Sequence, residues 1–269
     1  MHVRSRGVHI ARLLAVLAAV GLLAALAAPA GAGGKGKLKV TTSLPAPGFW
    51  NGNTPAKLDG GYEWGIAKEI AKRLGYSGFT VKNVSFDALV AGKAKGFDLA
   101  LSQVTITKPR AKVVAFTTPY FDSDLGILVK TGTKVDESNL KDIQWGVQGA
   151  TTSQTFLEDK IKPSKTPRSY TETTQAFAAL QAGQVDAVLL DTSIVLQQAS
   201  ASNGVFEVVG QLRSGEHYGG ITAKGSKLLK SFNKTIKALK ADGTLSDLAD
   251  KYLTAEFGKD PQKVPYLTP

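Results

Sequence analysis

Beyond residue 37 the apolar positions switch repeatedly between a two-residue and a helical period. Leu38 to Thr42 predicts a first strand, and a loop rich in Pro, Gly and Asn follows from Ser43 to Gly61. Between Trp64 and Leu74, the spacing of Ile66, Ala67, Ile70, Ala71 and Leu74 predicts a helix that Gly75 closes. Phe79 to Val84 reads as a strand, Phe86 to Lys95 as a helix and Phe97 to Leu101 as a third strand. The run Leu125 to Lys130 predicts a strand leaving this group. A second group opens with a strand over Ile143 to Val147, followed by a helix over Thr152 to Lys160 and a strand near Arg168 to Tyr170. Strands at Phe206 to Val209 and His217 to Thr222 and helices over Lys227 to Ala241 and Leu245 to Tyr252 complete the pattern.

One unit occurs twice. Ala88-Leu-Val-Ala-Gly92 leads into Asp98 and the apolar run to Ser102; Ala179-Leu-Gln-Ala-Gly183 leads into Asp186 and the apolar run to Asp191. Each copy is a helix ended by glycine and followed by a buried strand. Ligands of open α/β sheets bind beyond the carboxyl ends of the strands, so two such units predict two lobes facing each other across a cleft. The fold class is therefore α/β, with each lobe a mainly parallel sheet flanked by helices and a two-strand hinge near Pro119 to Gly126 and His217 to Ala223. Residues 37–122 with 222–269 are assigned to lobe 1 and residues 123–221 to lobe 2, the last two helices covering lobe 1.

The N-terminus changes the compartment. Arg4, Arg6 and Arg12 precede an apolar run from Leu13 to Ala28, followed by small residues around Ala30 and Ala32. Residues 1–32 thus read as a secretory signal peptide. The run is about 16 residues long, short of the roughly 20 that a membrane anchor needs. The chain has no cysteine, which excludes disulfides, thiolate metal sites and an N-terminal lipid anchor. Its 33 basic and 22 acidic residues give +11, and removing the three signal arginines leaves +8. Lys and Arg are scattered rather than clustered, so no nucleic-acid partner is expected.

Catalytic chemistry is sparse. His217 is the one histidine past the signal, and its neighbours supply neither a nucleophile elbow nor a metal spacing. No cofactor or metal motif is present, and Asp122-Ser-Asp124 lacks the later ligands of a calcium loop. Binding chemistry is richer. Ser102-Gln103-Val-Thr105-Ile-Thr-Lys-Pro-Arg110 leaves a strand in polar groups and ends on a guanidinium able to grip a carboxylate, or to pair with a surface acid. Gly149 to Ser153 follows a strand and opens a helix, offering an anion site or a plain cap by Thr152 or Ser153. Asp191 could meet an ammonium or cap the next turn.

In series, Gly61-Tyr-Glu-x-x-Ile-Ala-Lys-Glu-Ile-Ala-Lys-Arg-Leu-Gly75, Thr105-Ile-Thr-x-x-Arg110, Phe116-Thr-x-Pro-Tyr120 and Asp186-Ala-Val-x-x-Asp191 resemble the type 3 extracellular solute-binding proteins, the amino-acid receptors of ABC uptake systems. The resemblance spans about residues 37 to 256 and implies a periplasmic-binding-protein-like fold. It further implies that Arg110, Thr105 and the Thr151–Thr152 helix start hold a ligand α-carboxylate. Asp191, Ser102 and the Gln103 backbone would hold the α-ammonium, with Phe86 stacking on the ligand or packing in the core. Where the family often has an acid and an aromatic after the first strand, this chain has Ser43 and Ala46, with Phe49 and Trp50 further on as candidates to reach the cleft. Gln148 supplies a neutral contact, so a polar uncharged or acidic amino acid is expected. The implied partner is an ABC permease, met by a monomeric periplasmic or envelope protein without a lipid anchor. The rival reading is a cyclohexadienyl dehydratase on the same fold, for which Glu158 and Glu216 are the available acids; a sensor domain is a third.

Overall fold

In the computed structural model, which describes residues 35–254, 256–258 and 261–269, chain order and sheet order are related by a pseudo-repeat. The expected signal peptide lies outside the described residues. The first lobe begins with β1 (Leu38–Thr42), α1 (Tyr62–Arg73), β2 (Phe79–Asn83), α2 (Phe86–Val90), β3 (Leu99–Ala100) and α3 (Lys108–Val113). The long strand β4 (Ala115–Lys130) crosses to β5 (Trp145–Gln148), α4 (Thr152–Phe156), β6 (Arg168–Tyr170), α5 (Thr173–Gln181), β7 (Ala187–Asp191) and α6 (Thr192–Ala201). β8 (Phe206–Thr222) returns, and α7 (Leu229–Ala241) and α8 (Thr244–Ala249) follow.

The strands form one sheet in the order β2-β1-β3-β8-β4-β7-β5-β6. β1 runs parallel to β2 and β3, and β5 runs parallel to β6 and β7, so each lobe holds the same parallel triplet. Between the triplets β4 and β8 pair antiparallel over their whole length, with register shifts between Phe116 and Pro119 and between Ser123 and Leu125. Bulges of this kind bend a strand pair and raise its twist, as a crossing between lobes requires.

The repeat has a structural cause. Gly92 and Gly183 adopt φ of 69° and 70° and end α2 and α5 in the same left-handed turn. The aspartate that follows does the same work in both copies. Asp98 accepts the Lys39 N–H at 2.9 Å while its own N–H meets the Lys39 carbonyl at 2.8 Å; Asp186 does so with Gln144 at 2.9 and 2.8 Å. Each lobe's first strand is thus pinned to its third at the entrance.

The core follows the predicted faces. Ile66, Ala67, Ile70 and Ala71 of α1 are buried, as are Phe232, Ile236 and Leu239 of α7, and a second cluster centred on Trp145, Leu157 and Leu189 fills lobe 2. Three elements differ from the pattern. The helix expected over Phe86 to Lys95 stops at Val90, because Gly92 turns the chain left-handed. The one expected over Thr152 to Lys160 is α-helical only to Phe156 and widens into a π turn over Leu157–Ile161. α3 and α6 were not expected: α3 is a short polar run, and α6 buries Thr192, Ser193 and Gln197 beside its apolar residues, which hides its period. The tail also departs from its lobe 1 assignment. Leu267 N–H meets the Gln211 carbonyl at 2.9 Å and Tyr266 Oη donates to Asp124 at 2.7 Å, setting residues 264–267 against the lobe 2 half of β8.

Candidate functional site

A cavity of about 170 Å³ lies where the carboxyl ends of β3, β5 and β7 converge. Among the predicted residues, Arg110, Thr105, Ser102, Gln103, Thr151, Thr152, Asp191, Phe86, Gln148 and Phe49 all line it. Trp50 does not. It is wholly buried, and its Nε1–H donates to Glu63 at 2.7 Å and to the Leu101 carbonyl at 3.2 Å. An indole N–H that has found a buried carboxylate has no reason to leave it, so the expectation that Trp50 reaches the cleft is corrected. Phe49 has one face on the cavity and otherwise packs on Tyr62, Phe121 and Tyr218, with ring centroids 5.9, 5.6 and 6.2 Å away.

Arg110 stands in the first turn of α3, where Thr107 caps the helix by accepting the Arg110 N–H at 3.3 Å. Its side chain is 9% exposed. Nη1 donates to the Thr105 carbonyl at 2.9 Å, and Nη2 crosses to the Ala150 carbonyl in lobe 2 at 3.0 Å. The Phe86 ring lies 5.5 Å from the guanidinium carbon, so Phe86 supports the cation as well as facing the cavity. Burial pulls the guanidinium pKa down, and the charges of Glu216 and Asp191 oppose that shift.

Asp191 ends β7, opposite Leu125 of β4, and occupies the N-cap position of α6 without capping it. It is 6% exposed, and its Oδ1 has no hydrogen-bond partner. Burial, reinforced by the nearby charge of Glu216, raises its pKa above the ordinary carboxylate range. Close packing fixes this corner. A Cβ on Gly126 of β4 would stand 2.4 Å from Val195 Cγ2 and 2.9 Å from Thr192 Cα, so only glycine lets α6 start where it does.

The lobe 2 helix start is more self-contained than the sequence suggested. Thr151 is the cap, accepting the Gln154 N–H at 3.2 Å, and the Gln154 side chain takes the Ala150 N–H at 3.0 Å. Gln148 donates to the Thr171 carbonyl at 3.0 Å. On the lobe 1 wall, Ser102 Oγ accepts the Ser43 N–H at 3.0 Å, and Gln103 has a left-handed backbone with φ of 48°.

What holds Gln103 is a residue that the motif series contains but to which it gives no role. Glu63, fully buried in the first turn of α1, accepts the Gln103 N–H at 2.8 Å, the Gln103 side-chain amide, the Trp50 indole and the Tyr120 hydroxyl. Burial pushes its pKa up to about 7 against the pull of those four donors. Gly61, at φ 116°, places it there: a Cβ would come within 2.3 Å of the Phe49 carbonyl oxygen. Glu216 was singled out only as an acid, yet it lies 7% exposed on the hinge strand β8 and accepts hydrogen bonds from Thr105 and Thr152. Glu158 bonds Gln154 on the surface at 2.9 Å, and His217 pairs with Asp122 at 2.7 Å, both largely exposed at the hinge.

A two-lobed cleft with a buried guanidinium on one wall and a buried carboxyl on the other suits a ligand that carries both charges, and the chain can be compared with known proteins of that kind. Residues 38–255 match the family model of the bacterial extracellular solute-binding proteins, family 3. The L-cystine-binding protein TcyJ of Escherichia coli is 30% identical over 230 residues, 84% of this chain and 85% of that protein. An ancestral arginine-binding protein bound to arginine superposes with a TM-score of 0.71 at 33% identity, over 81% of this chain and 98% of that one. An ancestral amino-acid-binding protein described as a precursor of cyclohexadienyl dehydratase gives 0.70 at 27% identity, over 81% and 95%. Among the described residues no helix is long and apolar enough to cross a membrane. With its pseudo-repeated lobes, its paired charges and a family match over most of its length, this chain belongs to the bacterial extracellular solute-binding proteins of family 3.

Proposed function

We propose that the protein captures an amino acid between its lobes outside the cytoplasm and delivers it to the permease of an ABC transporter. The observation that carries this reading is the placing of Arg110 and Asp191: a guanidinium and a carboxyl, each at least nine-tenths buried, line one small cavity from opposite lobes. Removing a zwitterion from water is costly unless both of its charges are met, and such a pair meets both. Arg110 takes the α-carboxylate, Asp191 and the Ser102–Gln103 loop take the α-ammonium, and Phe86 packs beside them. Residues 37–122 with the following helices from 222 move as one body and residues 123–221 as the other, hinged at β4 and β8. The protein acts as a monomer, exported by residues 1–32.

Of the polar uncharged and acidic ligands expected, polar uncharged is the better matched, and the surplus carboxylates make a cationic side chain the alternative that the screen must separate. Arg110 apart, the charged residues lining the cavity are Asp191, Glu172 and Glu256, so an acidic side chain would meet no second cation. Gln148, Gln197 and Gln198 offer amides to a neutral one. A thermal-shift screen of the twenty amino acids, followed by calorimetry, tests the reading. Ligand binding to the folded state raises the melting temperature, so a selective rise with a neutral polar amino acid is expected. A flat profile across all twenty would overturn it.

A second reading has one observation in its favour. Asp191 is buried so that its carboxyl pKa rises, which suits an acid that protonates a leaving hydroxyl. Turnover of prephenate or arogenate, lost in Asp191→Asn, would establish a dehydratase instead.

A further inference from the structure

Glu63 stands behind the lobe 1 wall of the cavity. It is fully buried and does not line the cavity, yet the Ser102–Gln103 corner that does line it is fastened to its carboxylate. Gln103 is held twice, by its main-chain N–H at 2.8 Å and by its side-chain amide. The Trp50 indole and the Tyr120 hydroxyl supply two more donors, from the loop before α1 and from β4. An ionised carboxylate has about four acceptor sites, so these donors fill it. A proton on Glu63 would take one of those sites and leave a buried donor without its partner.

The conformation of Gln103 decides where its carbonyl points. In an extended residue the N–H and C=O lie on the same side of the chain, whereas in a helical residue of either hand they point in opposite directions. Gln103 has φ of 48°, the left-handed turn, so with its N–H on Glu63 its carbonyl is turned away from Glu63 towards the cavity that the residue lines. A side chain other than glycine keeps that turn only where its surroundings hold it. Two hydrogen bonds to one charged acceptor supply the hold, and such bonds are the stronger kind.

We propose that Glu63 is a positioning residue: bound to both donors of Gln103, its carboxylate fixes the left-handed turn that aims the Gln103 carbonyl at the ligand's ammonium. The proposal rests on the ammonium subsite read above at Asp191 and the Ser102–Gln103 loop, and adds to it an anion that never touches the ligand. The titratable groups around Glu63 are Tyr62 of its own helix and Tyr120 of β4, with Asp122 beyond Tyr62 and Tyr218 of β8 beside Tyr120. Burial keeps the three tyrosines neutral, while it brings Glu63 to a pKa of about 7.

The test is amide NMR of the ligand-free protein titrated from pH 5 to 9, with calorimetry alongside. The Gln103 amide and the Trp50 indole are expected to move together on one curve with a midpoint of about 7. Tyr120→Phe removes a donor to the ionised form and should raise that midpoint, and Glu63→Gln should abolish the curve. A carboxamide keeps the shape of the side chain but meets donors with N–H groups, so it cannot keep both holds on Gln103. For the amino acid that raises the melting temperature most, Glu63→Gln should bind at least tenfold more weakly while its melt stays cooperative. A Gln103 amide that ignores the titration would overturn the proposal, and if Glu63→Gln fails to fold, an unmoved midpoint in Tyr120→Phe does so. A wild-type protein that binds none of the twenty overturns the amino-acid reading and this role with it; one amino acid bound alike by wild type and Glu63→Gln overturns the role alone.

Discussion

At Arg110 a guanidinium gives up water and gains carbonyl partners in both lobes, while its charge is left for a ligand to match. Truncating a buried, charge-assisted contact costs about 3–5 kcal/mol. Arg110→Ala should therefore weaken amino-acid binding by a hundredfold or more in calorimetry while the melt stays cooperative. Asp191 makes the opposite compromise. Its Oδ1 is buried without a partner, so the ionised group is a liability to the empty fold and an asset only to a bound ammonium. Asp191→Asn is expected to raise the melting temperature at pH 8 and to abolish binding; a fall in both would show that the carboxylate is structural. Glu63 has a folded pKa of about 7 against an ordinary 4.5. A carboxyl raised by folding binds more protons in the native state than in the unfolded one. Its stabilisation is complete below about pH 4.5 and is lost as the pH climbs through about 7. The loss amounts to about 3 kcal/mol at most. Melts between pH 5 and 8 should thus show stability falling with pH, and Glu63→Gln should flatten that slope.

Elements repeat where single residues do not, and the repeat was the most legible feature of the chain. The Ala-Leu-x-Ala-Gly helix end announces itself because left-handed turns favour glycine, and the structure turns at Gly92 and Gly183. α6 stayed hidden for the contrary reason: it follows β7 without an intervening turn residue and buries three polar side chains. Glu63 was equally silent, since the partners that give it meaning, Trp50, Gln103 and Tyr120, are 13, 40 and 57 residues away in sequence. Ten of the eleven proposed ligand contacts share one cavity because they cluster at strand ends, where the topology gathers them; Trp50 is the exception, being fixed by a buried partner that a linear motif does not display. The same packing gives a test at Gly126. An alanine there must displace the backbone of α6 at Thr192 as well as the Val195 methyl. Gly126→Ala should destabilise by about 1–3 kcal/mol, and it should weaken binding more than Gly36→Ala, where a Cβ meets nothing within 4 Å.

For the whole molecule, the hinge is more than two strands. Residues 261–269 lie beyond the helices that cover lobe 1, yet they reach lobe 2. Gln211 of β8 donates its N–H to the Pro265 carbonyl at 2.8 Å and its side-chain amide to the Val264 and Pro261 carbonyls at 2.9 and 3.0 Å. Its own carbonyl takes the Leu267 N–H at 2.9 Å. Gln211 is 3% exposed, so without the tail a buried amide and a main-chain pair would be left without protein partners. Arg213 stacks on Tyr266 at 3.8 Å, and the Tyr266 hydroxyl donates to Asp124, which also takes the Ser214 and Gly215 N–H groups. The tail therefore ties the inner strands at the level where lobe 2 begins. Ending the chain after Asp260 should lower the urea midpoint at a nearly constant m value, the signature of lost stability without a changed mode of unfolding. Binding should respond differently, since among the cavity-lining residues none comes from 261–269. Ligand affinity under native conditions is expected to stay within about threefold, a difference of less than about 0.7 kcal/mol. A truncated protein that melts like the full chain would reduce the tail to a passive covering, and one that loses affinity outright would make it part of the closing mechanism.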